Sequence, residues 1–294
     1  VNQEQDAAAN EQVAAVQMAN QAVDAGNEIA AQTGGDIAST TPVDPSSSAR
    51  KIGEVFYEGD SYYQALVDTQ KGDLFMLCHP HNPVGTCFTR DELMEFADFI
   101  VRRDIYVCSD EIHCDLILDE NLKHIPFASL GEEIASRTIT LMAPSKTFNL
   151  PGFGCSYAVI SNSELKRRFK KSMLGIVPDP PAMGFRLAEE AYRNGESWRG
   201  RLIAYLRENR DCAVTQIREM NGLIPFSPQA TYLLWIDARN LNVKDPHSFF
   251  EKAGVGLSDG RDFGAPGFLR LNLGCTRELL KKALGRMREA VLSL

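Results

Sequence analysis

The chain has 294 residues, a formal net charge of −8 at pH 7, and 44% hydrophobic and 24% charged residues, which is ordinary globular usage and excludes a fibrous or wholly disordered protein. That length can bury a substantial core and suits two domains. The acidic balance argues against nucleic acid as a partner, no stretch approaches a membrane span and the first residues do not form a secretory signal, so a soluble cytoplasmic protein is expected.

Residues Val1 to Gly35 are rich in Ala, Gln and Asn, and fit a weakly amphipathic helix or a poorly ordered arm. The run DLFMLCH then reads as a strand leading into the turn HPHNPVG, with Pro83 and Gly85 as breakers. Thr89 is a helix N-cap with Glu92 three residues later, followed by Leu93, Phe96, Ala97 and Ile100 at helical spacing. A strand returns at Ile105, giving a βαβ unit and hence a parallel sheet. ITLMA and CSYAVIS are further strands, and a helix is expected from Ser163 to about Ser172, ahead of the loop PDPPAMG. From about Ala182 to Met220 the pattern is largely helical, broken near Gly195 and Ser197. ATYLLWID, a helix after Pro246, a strand in FLRLNLG and a final amphipathic helix from Thr276 to Leu294 complete the chain. The expected class is α/β, a three-layer, mostly parallel sheet with a smaller α+β C-terminal domain. Its expected divisions are 1–36 (arm), 37–190 (large domain) and 191–294 (small domain). The seven cysteines show no CxxC pair and read as reduced core thiols.

Four residues stand out by order and setting: Asn82 in HPHNPVG, Asp110 in CSDEIH, Lys146 in APSKTFNLPG and Arg270 in GFLRLNLG. The first three follow short β-rich runs, and in open α/β sheets ligands lie beyond the carboxyl ends of strands. A lysine amine can form an imine with the aldehyde of pyridoxal 5'-phosphate, and a carboxylate can keep the ring nitrogen protonated. An asparagine amide can bond the ring's phenolic oxygen, and an arginine fork can clamp a substrate carboxylate. Taken singly, each has a plainer explanation: a turn, a capping Asp110, a solvated Lys146, a surface ion pair for Arg270. The ordered set favours a cofactor site. His113 admits two readings of equal weight, a residue that tunes the cofactor and a satisfied, half-buried side chain. His79 and His81 flank a proline without a third ligand at zinc-like spacing, so no metal is expected.

On these motifs the chain resembles the fold-type I pyridoxal-phosphate enzymes, the aminotransferase class I/II superfamily, from about Val13 to the C-terminus. SDEIHCDL and SKTFNLPG look most like the MalY/PatB group of cystathionine β-lyases, where ordinary aminotransferases more often carry tyrosine at the position of His113. The resemblance implies that Lys146 forms the imine with the cofactor, Asp110 pairs with the ring nitrogen and Asn82 bonds the phenolic oxygen. It implies too that Ser145 touches the phosphate, that His113 belongs to the cofactor site, and that Arg270 binds the substrate α-carboxylate. The implied activity is β-elimination from cystathionine or a related cysteine S-conjugate, by a cytoplasmic homodimer acting on a small amino-acid substrate. Alternatives are an aminotransferase and a catalytically impaired homologue with a regulatory or binding role. VAAVQMANQAVDAGNEI and TPVDP resemble the family's phosphate-loop helix and its TPVYP, which puts Asp44 where a tyrosine stacks on the ring, and Glu11 and Gln12 in place of small residues. A carboxylate there neither stacks nor welcomes a dianionic phosphate, so weakened cofactor affinity is expected. Family members usually carry a further N-terminal segment, and this chain reads as starting after it.

Overall fold

In a computed structural model, which describes Thr69 and residues 71–294, the first sheet has the strand order β1-β2-β3-β4. The expectations for Val1 to Gly35 and for Glu11, Gln12 and Asp44 fall outside the described residues. Strands β1 (Leu74–Cys78), β2 (Tyr106–Asp110) and β3 (Thr138–Met142) run parallel, and β4 (Tyr157–Val159) pairs antiparallel with β3. The sheet is therefore mostly parallel, as the βαβ pattern predicts.

The crossover from β1 to β2 is helix α1 (Arg90–Arg103). Its start follows from the capping box: Glu92 N donates to Thr89 Oγ1, and Thr89 N donates to Glu92 Oε2 at 2.7 Å. Asp104 ends it in the left-handed region with φ 53°. The buried face, Leu93, Phe96, Ala97 and Ile100, packs on Phe75, Leu77 and Val107 of the sheet and on Phe127 and Ile134. Truncating a fully buried leucine or isoleucine of this kind costs about 2–5 kcal/mol. Short helices α2 (Glu132–Ala135) and α3 (Pro144–Thr147) precede and follow β3, and α4 (Ser163–Met173) follows β4 behind an Asn162 N-cap.

Helices α5 (Ala182–Asn194) and α6 (Glu196–Arg218) meet at Gly195, the predicted break. A Cβ there would lie 2.5 Å from the Phe148 ring, so only glycine allows the contact. The second sheet is antiparallel throughout, with the order β5-β6-β8-β7 for β5 (Ile224–Phe226), β6 (Leu233–Asp237), β7 (Ser258–Asp259) and β8 (Phe268–Asn272). Helix α7 (Pro246–Lys252) lies between β6 and β7, and α8 (Arg277–Leu292), capped by Thr276, follows β8. Leu234 and Ile236 share one core with Ala213 and Ile217 of α6 and Leu284 of α8, while Trp235 packs on the opposite face with Phe268. The sequence pattern did not reveal β5 or β7, because one is a three-residue strand containing Pro225 and the other has two residues. The strand expected from ATYLLWID begins later, at Leu233, because Thr231 takes φ 70° and turns the chain.

The segment 228–231 ties the two sheets together. Gln229 N and Ala230 N both donate to Gly85 O at 3.0 Å, Leu118 N donates to Gln229 O at 2.8 Å and Thr231 N to Leu116 O at 2.8 Å. Gly85 has φ 77°, and a Cβ on it would come within 2.4 Å of Pro228 Cβ. The breaker seen in the sequence is therefore a point of contact between distant parts of the chain. All seven cysteines are free thiols, and no helix of the described residues is long and apolar enough to cross a membrane.

Candidate active site

The strand register sets the site. Cys78 pairs with Asp110 and Asp110 with Leu141, so β1, β2 and β3 end together on one edge of the sheet. Asn82 lies in the turn after β1, Asp110 is the last residue of β2, and Lys146 is in α3, just after β3. His79 N donates to Asp110 O at 2.9 Å and Glu111 N to Leu141 O at 3.0 Å, which extends the pairing past the strand ends and holds the three turns side by side. This is the carboxyl edge, where parallel sheets hold ligands.

Arg270 reaches that edge from the other sheet. Its Nη1 donates to Asn82 Oδ1 at 2.9 Å, its Nη2 donates to Ser258 Oγ at 3.1 Å, and its guanidinium carbon stands 4.6 Å from the centre of the Phe263 ring. These partners are all neutral. Burial pushes the guanidinium down to about 10, with Tyr232 and Asp262 opposing the shift. A half-buried cation without a carboxylate in its hydrogen-bond shell, and with N–H donors to spare, has the chemistry to receive an anion. It is not the surface ion pair that one residue alone would suggest.

Asp110 is recessed and accepts from Ile112 N at 3.1 Å through one oxygen. Burial pushes its carboxyl above the ordinary 3.8, with the charge of Glu111 adding to the rise and the Ile112 N–H and Lys146 opposing it. Its second oxygen has no partner among the described residues, so a protonated ring nitrogen would supply the missing donor. Asn82 uses its oxygen on Arg270, which leaves its amide N–H groups for a phenolic oxygen. His113 is fully buried and its Nδ1 is without a partner. Burial first, then Lys146 and Arg270, push it down to about 3, so the imidazole is neutral at pH 7. Its ring stands edge-on to Tyr232, with centroids 5.9 Å apart. The unpartnered His113 Nδ1, an Asp110 oxygen and the Asn82 amide hydrogens, beside a lysine and an arginine, are a set of groups that fits pyridoxal phosphate and an amino acid. Ser145 is partly buried in the first turn of α3, next to Lys146.

Sequence reasoning missed Ser258, Phe263 and Tyr232, the residues that surround Arg270 and His113. Ser258 and Phe263 lie in no motif and are brought in by strand pairing and the 3₁₀ turn Gly260–Phe263, while Tyr232 sits in the run ATYLLWID, which was read only as a strand. His79 and His81 are both buried, and His79 packs on His124, which bonds the buried Glu111 at 2.7 Å. The group with ligand-like convergence among the described residues is instead Asp245, His247 and Asp259, whose two carboxylates are already engaged by Arg261.

The model of the family described as aminotransferase class I and II matches residues 60–287. The chain belongs to the aminotransferase class I and II family. Among relatives in this family, cystathionine beta-lyase PatB of Bacillus subtilis (strain 168) is 34% identical over 228 residues, covering 74% of this chain and 58% of PatB. The crystal structure of OvoB shares 49% identity at a TM-score of 0.74, over 76% of this chain and 59% of that one. The crystal structure of cystalysin from Treponema denticola, which contains a pyridoxal 5'-phosphate cofactor, shares 32% identity at a TM-score of 0.75, over 79% and 61%. The chain thus spans about three-fifths of the length of these class I and II relatives.

Proposed function

We propose that this chain holds pyridoxal 5'-phosphate at the carboxyl edge of its parallel sheet. There it acts as a carbon–sulfur β-lyase on cystathionine or related cysteine S-conjugates, releasing pyruvate, ammonia and a thiol. The observation that supports this most is the Arg270–Asn82 hydrogen bond, which puts an anion receptor beside the three strand-end residues. Similarity to a cystathionine beta-lyase points to the same substrate class.

When bound, the cofactor supplies an electron sink for the pair left at the substrate Cα after its proton is removed. Lys146 would hold the cofactor, and its Nζ would be the base that takes the Cα proton. Asp110 keeps a proton on the ring nitrogen, a task suited to a recessed carboxylate with an open oxygen. Asn82 Nδ2 donates to the phenolic oxygen, Ser145 donates to the phosphate, and His113 stays uncharged beside them. Arg270 grips the substrate carboxylate and so orients the Cα–H bond toward Lys146. Loss of the β-thiolate would break the Cβ–S bond and leave an enamine, which one water would hydrolyse to pyruvate and ammonia. A homodimer is part of the proposal, by analogy with the family.

The test is a visible spectrum of purified protein after adding pyridoxal phosphate, then borohydride reduction, peptide mapping and a cystathionine assay. Label confined to Lys146, with stoichiometric pyruvate and thiol, supports the proposal. Label scattered over surface lysines defeats the cofactor site, and amino-group transfer without thiol release replaces the lyase by an aminotransferase.

A further inference from the structure

Arg270 has more structure around it than a carboxylate clamp requires. Ser258 is its cross-strand neighbour in the β7–β8 pair, and the Ser258 hydroxyl accepts from Nη2 at 3.1 Å. Asn82 holds Nη1, so both η nitrogens are pinned, each by a neutral acceptor and each from a different element. The Phe263 ring covers one face of the guanidinium at 4.6 Å and is itself braced edge-on by Trp235, centroids 5.6 Å apart.

The turn that carries these groups is built for rigidity. Gly260 has no room for a Cβ, which would lie 2.2 Å from Ala265 O, and Ala265 N donates to Gly260 O at 2.8 Å. Asp259 accepts from Arg261 N at 2.9 Å and pairs with its guanidinium, fixing the turn between Ser258 and Phe263. An unpinned arginine would swing about its side-chain torsions, and bidentate recognition fails when the fork is misoriented.

On the reading that Arg270 takes the substrate carboxylate, we propose that Ser258 is a positioning residue. It fixes the plane of the guanidinium and thereby makes the site selective for amino acids over simple amines. Two neutral acceptors do this without quenching the charge that the substrate needs, as an aspartate at position 258 would.

The test uses protein loaded with pyridoxal phosphate and two probes that differ by one carboxylate, L-alanine and ethylamine, titrated by the change in visible absorbance. Ser258→Ala is expected to weaken L-alanine about tenfold, the scale of one hydrogen bond involving a charged group, and to leave ethylamine unchanged. Ser258→Thr, which keeps the oxygen, is expected to restore the preference; Arg270→Ala is expected to abolish it. A Ser258→Ala protein that keeps the full preference while Arg270→Ala loses it overturns the role of Ser258 alone. An Arg270→Ala protein that keeps the preference overturns the carboxylate assignment, and the role of Ser258 with it. Equal weakening of both probes by Ser258→Ala, or failure of the threonine variant to rescue with its fold intact, reduces Ser258 to a structural contact.

Discussion

Arg270 Nη1 and Asn82 Oδ1 are 2.9 Å apart in space and 188 residues apart in sequence. Through this bond the antiparallel sheet delivers its cation to the turn that follows the first parallel strand. Segment 228–231 adds further hydrogen bonds to the same turn, at Gly85 O.

Arg270→Lys keeps the charge and loses the fork. The compact ammonium of lysine cannot make two parallel bonds to a carboxylate or rest flat on Phe263. A fall in kcat/KM for cystathionine of about a hundredfold, or roughly 2.7 kcal/mol, is expected in steady-state assays. A change of less than threefold would show that a point charge suffices.

Gly85→Ala meets two obstacles, a positive φ of 77° and a close contact with Pro228. The expected loss is about 2–4 kcal/mol in urea unfolding, with weaker retention of pyridoxal phosphate because Asn82 shares the turn. Stability within 0.5 kcal/mol of the parent would mean that the 228–231 segment yields at little cost, roughly as a surface site does.

Asp110→Asn should act in opposite directions with and without cofactor. In the cofactor-free protein burial raises the Asp110 carboxyl above 3.8, so the folded chain holds this proton more tightly than the unfolded one. Its contribution to stability is complete below that ordinary value and is lost as pH rises through the raised one. At pH 7 the amide therefore raises the unfolding midpoint of cofactor-free protein. In the loaded protein it removes the proposed partner of the ring nitrogen, and faster cofactor loss on dialysis is expected. An amide variant less stable than the parent without cofactor would contradict the reading of Asp110 as a carboxyl raised by burial.

His79, His81 and His113 are each pushed down to about 3, chiefly by burial. Depressed bases contribute stability that is present above the unfolded value of 6.5 and lost as pH falls toward 3, because the unfolded chain takes up the protons first. Well inside that window the three together make stability fall by about 4 kcal/mol per pH unit, at about 1.36 kcal/mol for each proton. Urea unfolding between pH 6.5 and 4 measures the slope, and His113→Gln should reduce it by roughly a third. A flat profile would show that these imidazoles are protonated in the fold.

Thr89 with Glu92, the helix face Leu93 to Ile100, and the strand runs before Asn82, Asp110 and Lys146 were legible because each is a local signal. Capping, 3.6-residue periodicity and β-rich runs act within a few residues, and the structure realises all of them. The break at Gly195 and the final helix near Thr276 were legible for the same reason, although the helix itself runs Arg277–Leu292 with Thr276 as its cap. Strands β5 and β7 were not, since two or three residues hold no period and exist only because β6 and β8 offer them partners.

By itself the sequence determined the candidate residues of the site and the placement of three of them beyond strand ends, because a parallel βαβ order forces those ends to one edge. Only the tertiary structure decided that Arg270 meets Asn82, that Ser258 and Phe263 hold its guanidinium, and that His113 is wholly buried with an unpartnered nitrogen. The reason is physical: these contacts join the two sheets or adjacent antiparallel strands, where burial and hydrogen-bond geometry, rather than local spacing, choose the partner.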